Sequence, residues 1–195
     1  MTEGDGGPRR ERVLVDGLGP GEAVVVHREA LHVLRPDIES AHLDVYTDTG
    51  WPPAVLHSFE RALALARAEV ADGSRSRRAD PGMGIGIDVR DDTQFGVLVD
   101  LVPHTINAEG WRGDRMVFSA ADSGTGLWMA VTENQEAALL SRLGALGIPP
   151  TVLAGAGGAR PRTTRSARWL RTARRSSCAV PEPVTAAGAR RWSRI

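Results

Sequence analysis

The chain has no lysine: all 24 of its basic residues are arginine, the bias expected of a GC-rich, bacterial-type genome. That absence excludes chemistry built on an ε-amino group. Neither a phosphate loop of the GxxxxGK[ST] type nor a Schiff base to a substrate carbonyl can be written without lysine. Cysteine is nearly absent as well. The single one, Cys178, permits no disulfide within the chain, which fits a reducing, cytoplasmic setting. No apolar run reaches the roughly 18 residues that suggest a membrane-spanning helix, and residues 1–12 lack the apolar stretch of a secretory signal. No membrane association is expected. Aromatic residues amount to 5%, with one Tyr, three Phe and five Trp, so the placement of each tryptophan carries weight.

What is present is ordinary in amount and uneven in distribution. A length of 195 residues with 42% apolar and 25% charged residues suits one globular domain with a real core. Residues 1–159 carry 14 Arg against 23 Asp and Glu, whereas residues 160–195 carry 10 Arg against Glu182 alone. The formal neutrality therefore hides an acidic body and a basic tail. In the tail, Trp169, Leu170, Val180, Val184, Trp192 and Ile195 follow neither helical nor strand spacing, leaving too little apolar surface to offset chain entropy. Three segments are expected: a flexible N-terminus over 1–11, a single domain over 12–155, and a disordered, arginine-rich tail over 156–195. A shifted reading frame in a GC-rich gene writes text of this kind. As a functional arm, the tail would bind nucleic acid through arginines, with Trp169 and Trp192 as stacking groups.

Within the body, turn residues and periodicity set the expected elements. Arg12–Asp16, Glu22–Arg28, Leu31–Arg35 and Leu43–Thr47 read as short strands of a meander, separated by glycine and proline. After the breaker cluster 48–53, Val55, Phe59, Ala62, Leu63, Ala66 and Val70 recur at three and four, predicting a long helix over 54–72 capped by Gly73. A surface loop with three arginines, 74–81, follows. Met83–Arg90 and Gln94–Val102 read as a hairpin around Asp91, Asp92 and Thr93, and Arg115–Ala120 with Leu127–Thr132 as a second hairpin. Asn134 is a candidate cap for a helix over 135–146, with Thr151–Ala154 as a closing edge strand. The expected class is α+β: a mainly antiparallel sheet packed against a long helix and a shorter C-terminal helix. With only two helices in view, a doubly wound nucleotide fold is not expected.

No motif carries chemistry on its own. Gly82, Gly84 and Gly86 imitate a dinucleotide fingerprint, but that fingerprint needs a helix after the glycines, and here a strand is predicted. On a strand, all three would share one face and allow close approach of a helix or a ligand. His27, His32, His42, His57 and His104 lack metal-ligand spacing, so neither metal nor cofactor is expected. Asp100 and His104 are the nearest thing to an acid-base pair, and Asp88 facing Asp100 across paired strands would raise one carboxyl pKa. Trp51 and Trp111 sit in breaker-rich loops, where an indole either folds back or is presented to a partner.

The expected function is a non-catalytic binding domain that engages a protein partner, as a regulator, adaptor or immunity-type protein does, with Trp51, Trp111, Asp91 and Asp92 as contact residues. Its acidic body would suit a basic partner. One alternative is a small-molecule domain or hydrolase with a pocket near the glycine-bearing strand, involving Asp88, Asp100 and His104. Another is nucleic-acid binding through the tail.

Overall fold

A computed structural model describes residues 7–15 and 17–156, which fall within one compact unit, Met1–Arg162. The expectations placed on residues 1–6 and on the arginine-rich segment from Gly157, with Trp169, Cys178 and Trp192, lie outside the described residues. In chain order the elements are β1 (Arg10–Leu14), α1 (Pro20–Leu34), β2 (Ser40–Asp44), α2 (Leu56–Ala71), β3 (Ile85–Ile87), α3 (Asp92–Leu101), β4 (Asn107–Arg112), β5 (Arg115–Ala121), β6 (Gly126–Val131), α4 (Glu133–Ala145) and β7 (Leu153–Gly155). The strands form a seven-stranded sheet in the order β3-β2-β4-β5-β6-β1-β7. Every neighbouring pair is antiparallel. The α+β class and the antiparallel sheet are as expected, and no described helix is long and apolar enough to cross a membrane.

Four helices pack on this sheet where two were expected. Glu22–Arg28 and Leu31–Arg35, read as strands, are the two halves of α1. Its buried residues Ala23, Val26, His27, Ala30, Leu31 and Leu34 recur at three and four, so one stripe faces inward. Pro20 opens the helix, and the Glu22 carboxylate accepts the Gly19 amide hydrogen at 3.1 Å, satisfying one of the donors a helix start leaves over. The hairpin expected over 83–102 is also absent. Asp91 caps α3, its carboxylate accepting from the amides of Thr93 and Gln94 at 2.8 and 3.0 Å. Phe95, Leu98, Val99 and Leu101 then turn inward. Asp-Asp-Thr is turn chemistry and helix-cap chemistry alike, and burial of the following residues selects the helix.

Other elements lie close to their predicted places. The long helix and the β5–β6 hairpin form within a few residues of expectation, and β7 is an edge strand paired with β1. Thr132, not Asn134, caps α4, in a reciprocal box with Gln135. The loop after α2 is anchored by Arg75, which is 5% exposed; it holds Glu69 at 2.8 Å and the carbonyls of Asp80 and Met83 at 3.1 and 2.7 Å.

Register divides the sheet into two unlike faces. On one, Leu43 stands between Ile85 and Ala108, followed across the sheet by Ala120 and Leu127, while Phe118 opposes Met129. These residues join the buried apolar residues of all four helices in one core, including Leu31 and Leu34 of α1, Ala62 and Ala66 of α2, Leu98 of α3 and Leu139 of α4. A polar knot closes one end. Asp37, between α1 and β2 and 6% exposed, accepts from Arg9 at 2.5 Å, Arg112 at 2.9 Å and Gln135 at 2.6 Å. It thereby ties the residue before β1 to β4 and α4, within the stretch 1–11 expected to be flexible.

Candidate interaction surface

The second face of the sheet carries the polar side chains. One cross-strand row runs from Gly86 through His42, Glu109, Ser119, Trp128 and Val13 to Ala154, one residue from each of the seven strands. Flanking rows hold Ser40, Trp111 and Met116 on one side and Asp44, Asn107 and Ala121 on the other. Alternation along a strand requires this division. In β4, Ala108 and Gly110 face the helices, leaving Asn107, Glu109 and Trp111 on the opposite side.

Glu109 is the hub of the face. Its carboxylate accepts from the Trp111 indole at 3.2 Å and the Asn107 amide at 3.3 Å, and His42 Nε2 stands 3.4 Å away. His42 and Glu109 are each 2% exposed, Trp128 7% and Trp111 8%. The two indoles are buried without belonging to the apolar core beneath the helices. Among the described residues, both His42 ring nitrogens and Trp128 Nε1 are sealed from solvent and make no hydrogen bond, Nε2 having only its 3.4 Å approach to Glu109. Buried polar atoms without partners are rare. Half of the six such side-chain atoms found among the described residues lie on this one row.

The order of groups along the row bears on catalysis. A nucleophile relay places an imidazole between the hydroxyl and the carboxylate. Here Glu109 occupies the middle, with His42 on one side and Ser119 on the other. Ser119 is thus the cross-strand neighbour of a carboxylate and not of an imidazole, which departs from the relay order.

The predicted site residues scatter. Trp111 belongs to this face, on a strand and not in the loop expected of it. Trp51 folds back, stacking on Phe59 with ring centroids 4.7 Å apart and donating to the Tyr46 carbonyl at 2.9 Å. Asp91 is occupied as a helix cap, and Asp92 pairs with Arg35 at 2.5 Å. The three glycines do not share a strand face, since only Gly86 lies in β3. A Cβ on Gly82 would stand 2.5 Å from the Val45 carbonyl oxygen, and one on Gly86 would stand 2.7 Å from the Glu69 carboxylate. The protein's own groups fill both approaches.

Asp100 does not pair with His104. It accepts from the Ser58 hydroxyl at 2.8 Å and lies 3.4 Å from Arg28. Asp88, expected opposite Asp100 on paired strands, is a turn residue before α3 that accepts the Arg90 amide at 2.9 Å. His104 instead borders a cleft of 360 Å³ between the start of α1 and the turns before β4 and β6. Burial holds its pKa below the ordinary histidine value, and the nearby Arg28 guanidinium lowers it further. Among the described residues no three His, Cys, Asp or Glu side chains converge as a metal site. Comparison of the chain with protein-family models, curated proteins and solved structures gives no match.

Proposed function

We propose that the protein is a non-catalytic, cytoplasmic binding domain that engages a basic protein partner, in the manner of a regulator, adaptor or immunity-type protein, through the polar face of its sheet. The observation that carries the reading is the pair of unpartnered polar atoms His42 Nδ1 and Trp128 Nε1. Each such group costs about 1–3 kcal/mol when left without a partner. Because these atoms are sealed from solvent in the free chain, a partner recovers this energy by a binding step that opens the face and supplies hydrogen-bonding groups there. The excess of carboxylates over arginines in residues 1–159 favours a cationic partner.

Asp91 and Asp92 drop out as diagnostic positions, because reversing them disturbs a helix cap and an ion pair before it touches any partner. Trp128→Phe is cleaner, since it deletes the unpartnered donor and keeps an aromatic ring. The test is native mass spectrometry of full-length wild type and Trp128→Phe, each recovered from the source cell. A stoichiometric basic protein on the wild type, weakened at least tenfold in the variant, is the expected result. The same partner held equally by both, or a bound small molecule with no protein, would overturn the proposal.

A further inference from the structure

The polar face of the sheet is buried on the side away from the helices. His42, Glu109, Ser119 and Trp128, from the neighbouring strands β2, β4, β5 and β6, are 2%, 2%, 7% and 7% exposed. An antiparallel sheet with helices on one face ordinarily leaves the other face to water. The buried residues of all four helices join the core on the opposite side, with Leu43, Ala108, Ala120 and Leu127. Among the described residues, therefore, no helix covers the row from His42 to Trp128, and its burial calls for a covering segment.

Charge and reach select that segment. Glu11, Asp44 and Glu109 stand on this face, in register with Ala130, Asn107 and Ser119. The arginines of β1 turn the other way, Arg10 and Arg12 pairing with Glu133 and Glu136 of α4. The face is thus acidic, while residues 160–195 carry 10 Arg against Glu182 alone. A guanidinium both forks a carboxylate and stacks on an indole, and the face offers both groups, in Glu109 and in Trp111 and Trp128. The last described residue, Ala156, donates its amide hydrogen to the Glu11 carbonyl at 3.1 Å, so the chain leaves the sheet at the β1–β7 rim of this face. Through β1, β6, β5 and β4 to β2 the distance is about 24 Å, which about eight extended residues span. The segment 157–195 exceeds that length several times over.

We infer that the arginine-rich segment 157–195 docks on this face within its own chain, arginines toward Glu11, Asp44 and Glu109, and holds the face closed against the basic partner. The inference rests on the reading of this face as a binding surface and adds its regulation. Segment and partner present the same chemistry to one site, so the partner binds only as the segment leaves, and that departure is the step that opens the face. A tethered segment acts at an effective concentration of about millimolar. With a Kd of about 10 µM it occupies the face about 99% of the time and lowers the partner's apparent affinity about a hundredfold.

The test uses the full-length, isotope-labelled protein with a nitroxide on Cys178, the chain's single cysteine, and reads paramagnetic broadening of its NMR signals. Docking should broaden the Trp111 and Trp128 indole signals several-fold more than the amide signals of α1, on the opposite side of the sheet. Replacing Arg165, Arg168, Arg171, Arg174 and Arg175 by Gln should remove that difference, and salt at about 0.5 M should reduce it. Uniform broadening, broadening centred on the helices, or broadening that survives the Gln substitutions overturns the inference. Equal broadening when a nitroxide-bearing chain is mixed with a separate isotope-labelled chain overturns docking within one chain. The readout needs no partner, so the two proposals fail separately. Selective indole broadening with no basic protein in the native mass spectrum upholds the docking and sinks the partner, and a partner recovered alongside uniform broadening does the reverse.

Discussion

Asp37→Asn offers the sharpest test of what holds the sheet's end together. The substitution keeps shape and one carbonyl oxygen but removes the charge from a site where Arg9 and Asp37 are 5% and 6% exposed. Removing one partner of a buried ion pair costs about 3–5 kcal/mol, because the remaining charge stays desolvated. Here Arg9 keeps the Ala130 carbonyl at 2.8 Å, and Arg112 is 36% exposed and can turn to solvent. Those escapes place the expected loss near the bottom of the range, about 3 kcal/mol. For a domain of this size, that is a fall of about 6–12 °C in Tm. Urea unfolding followed by tryptophan fluorescence reads it directly. The double replacement Arg9→Met with Asp37→Leu should recover at least half of the loss, since an apolar pair of similar bulk needs no counter-charge. A loss below about 1 kcal/mol for Asp37→Asn, or a double variant less stable than the single one, would refute the account of the knot as a buried charge cluster.

Asp91→Ala should cost about 1 kcal/mol through the lost α3 cap, with the slope of the urea transition unchanged. Gly124→Ala should cost at least about 2 kcal/mol, combining left-handed strain with the close Pro103 carbonyl, whereas Ser123→Gly should leave the thermal midpoint within a few degrees. His27, fully buried between the carbonyls of Ala23 and Gly126, and His104 both have pKa values lowered first by desolvation. The unfolded chain therefore binds protons before the folded one does, so stability should fall as pH drops through about 6.5 and level off below the folded-state values. A urea midpoint that rises between pH 7.5 and 5.5 would contradict that sign. Trp128→Phe should lose less than about 1 kcal/mol, because deleting an unpartnered donor offsets the lost contacts, while Phe118→Ala, in the core on the opposite face, should lose about 3–5 kcal/mol.

The class of fold was legible because it rests on long-range patterning. The stripe from Val55 to Val70 survives as α2, and the glycine-rich turn between β5 and β6 survives as a hairpin. Elements whose local chemistry admits two answers were misread. Val24, Val25 and Val26 in a row suggest a strand, since β-branched residues favour sheets. Burial of Leu31, Leu34 and Ala30 along one stripe decides for a helix, and no window of three residues contains that information. Asp91 to Thr93 posed the same ambiguity, because a carboxylate that closes a turn also caps a helix.

The candidate surface was hidden for a related reason. Asn107 to Arg112 contains Gly110, Asn107 and two charged residues, which read as loop. Its core side is small for a packing reason: a Cβ on Gly110 would come within 3.0 Å of Ile38 and 3.3 Å of Phe118. With Ala108 and Gly110 turned inward, the bulk of β4 points outward, and hydrophobic alternation runs opposite to the usual sense. A strand whose inner residues are its smallest ones contributes little to the core through its own side chains. Its large residues, Glu109 and Trp111, are then free of the demands of helix packing and share a face with His42 and Trp128 only because β4 lies between β2 and the β5–β6 hairpin. Sequence shows each of these residues, while their convergence is a property of strand order. In a sheet whose order departs from chain order at β2-β4, β6-β1 and β1-β7, strand order is set by which faces the helices bury.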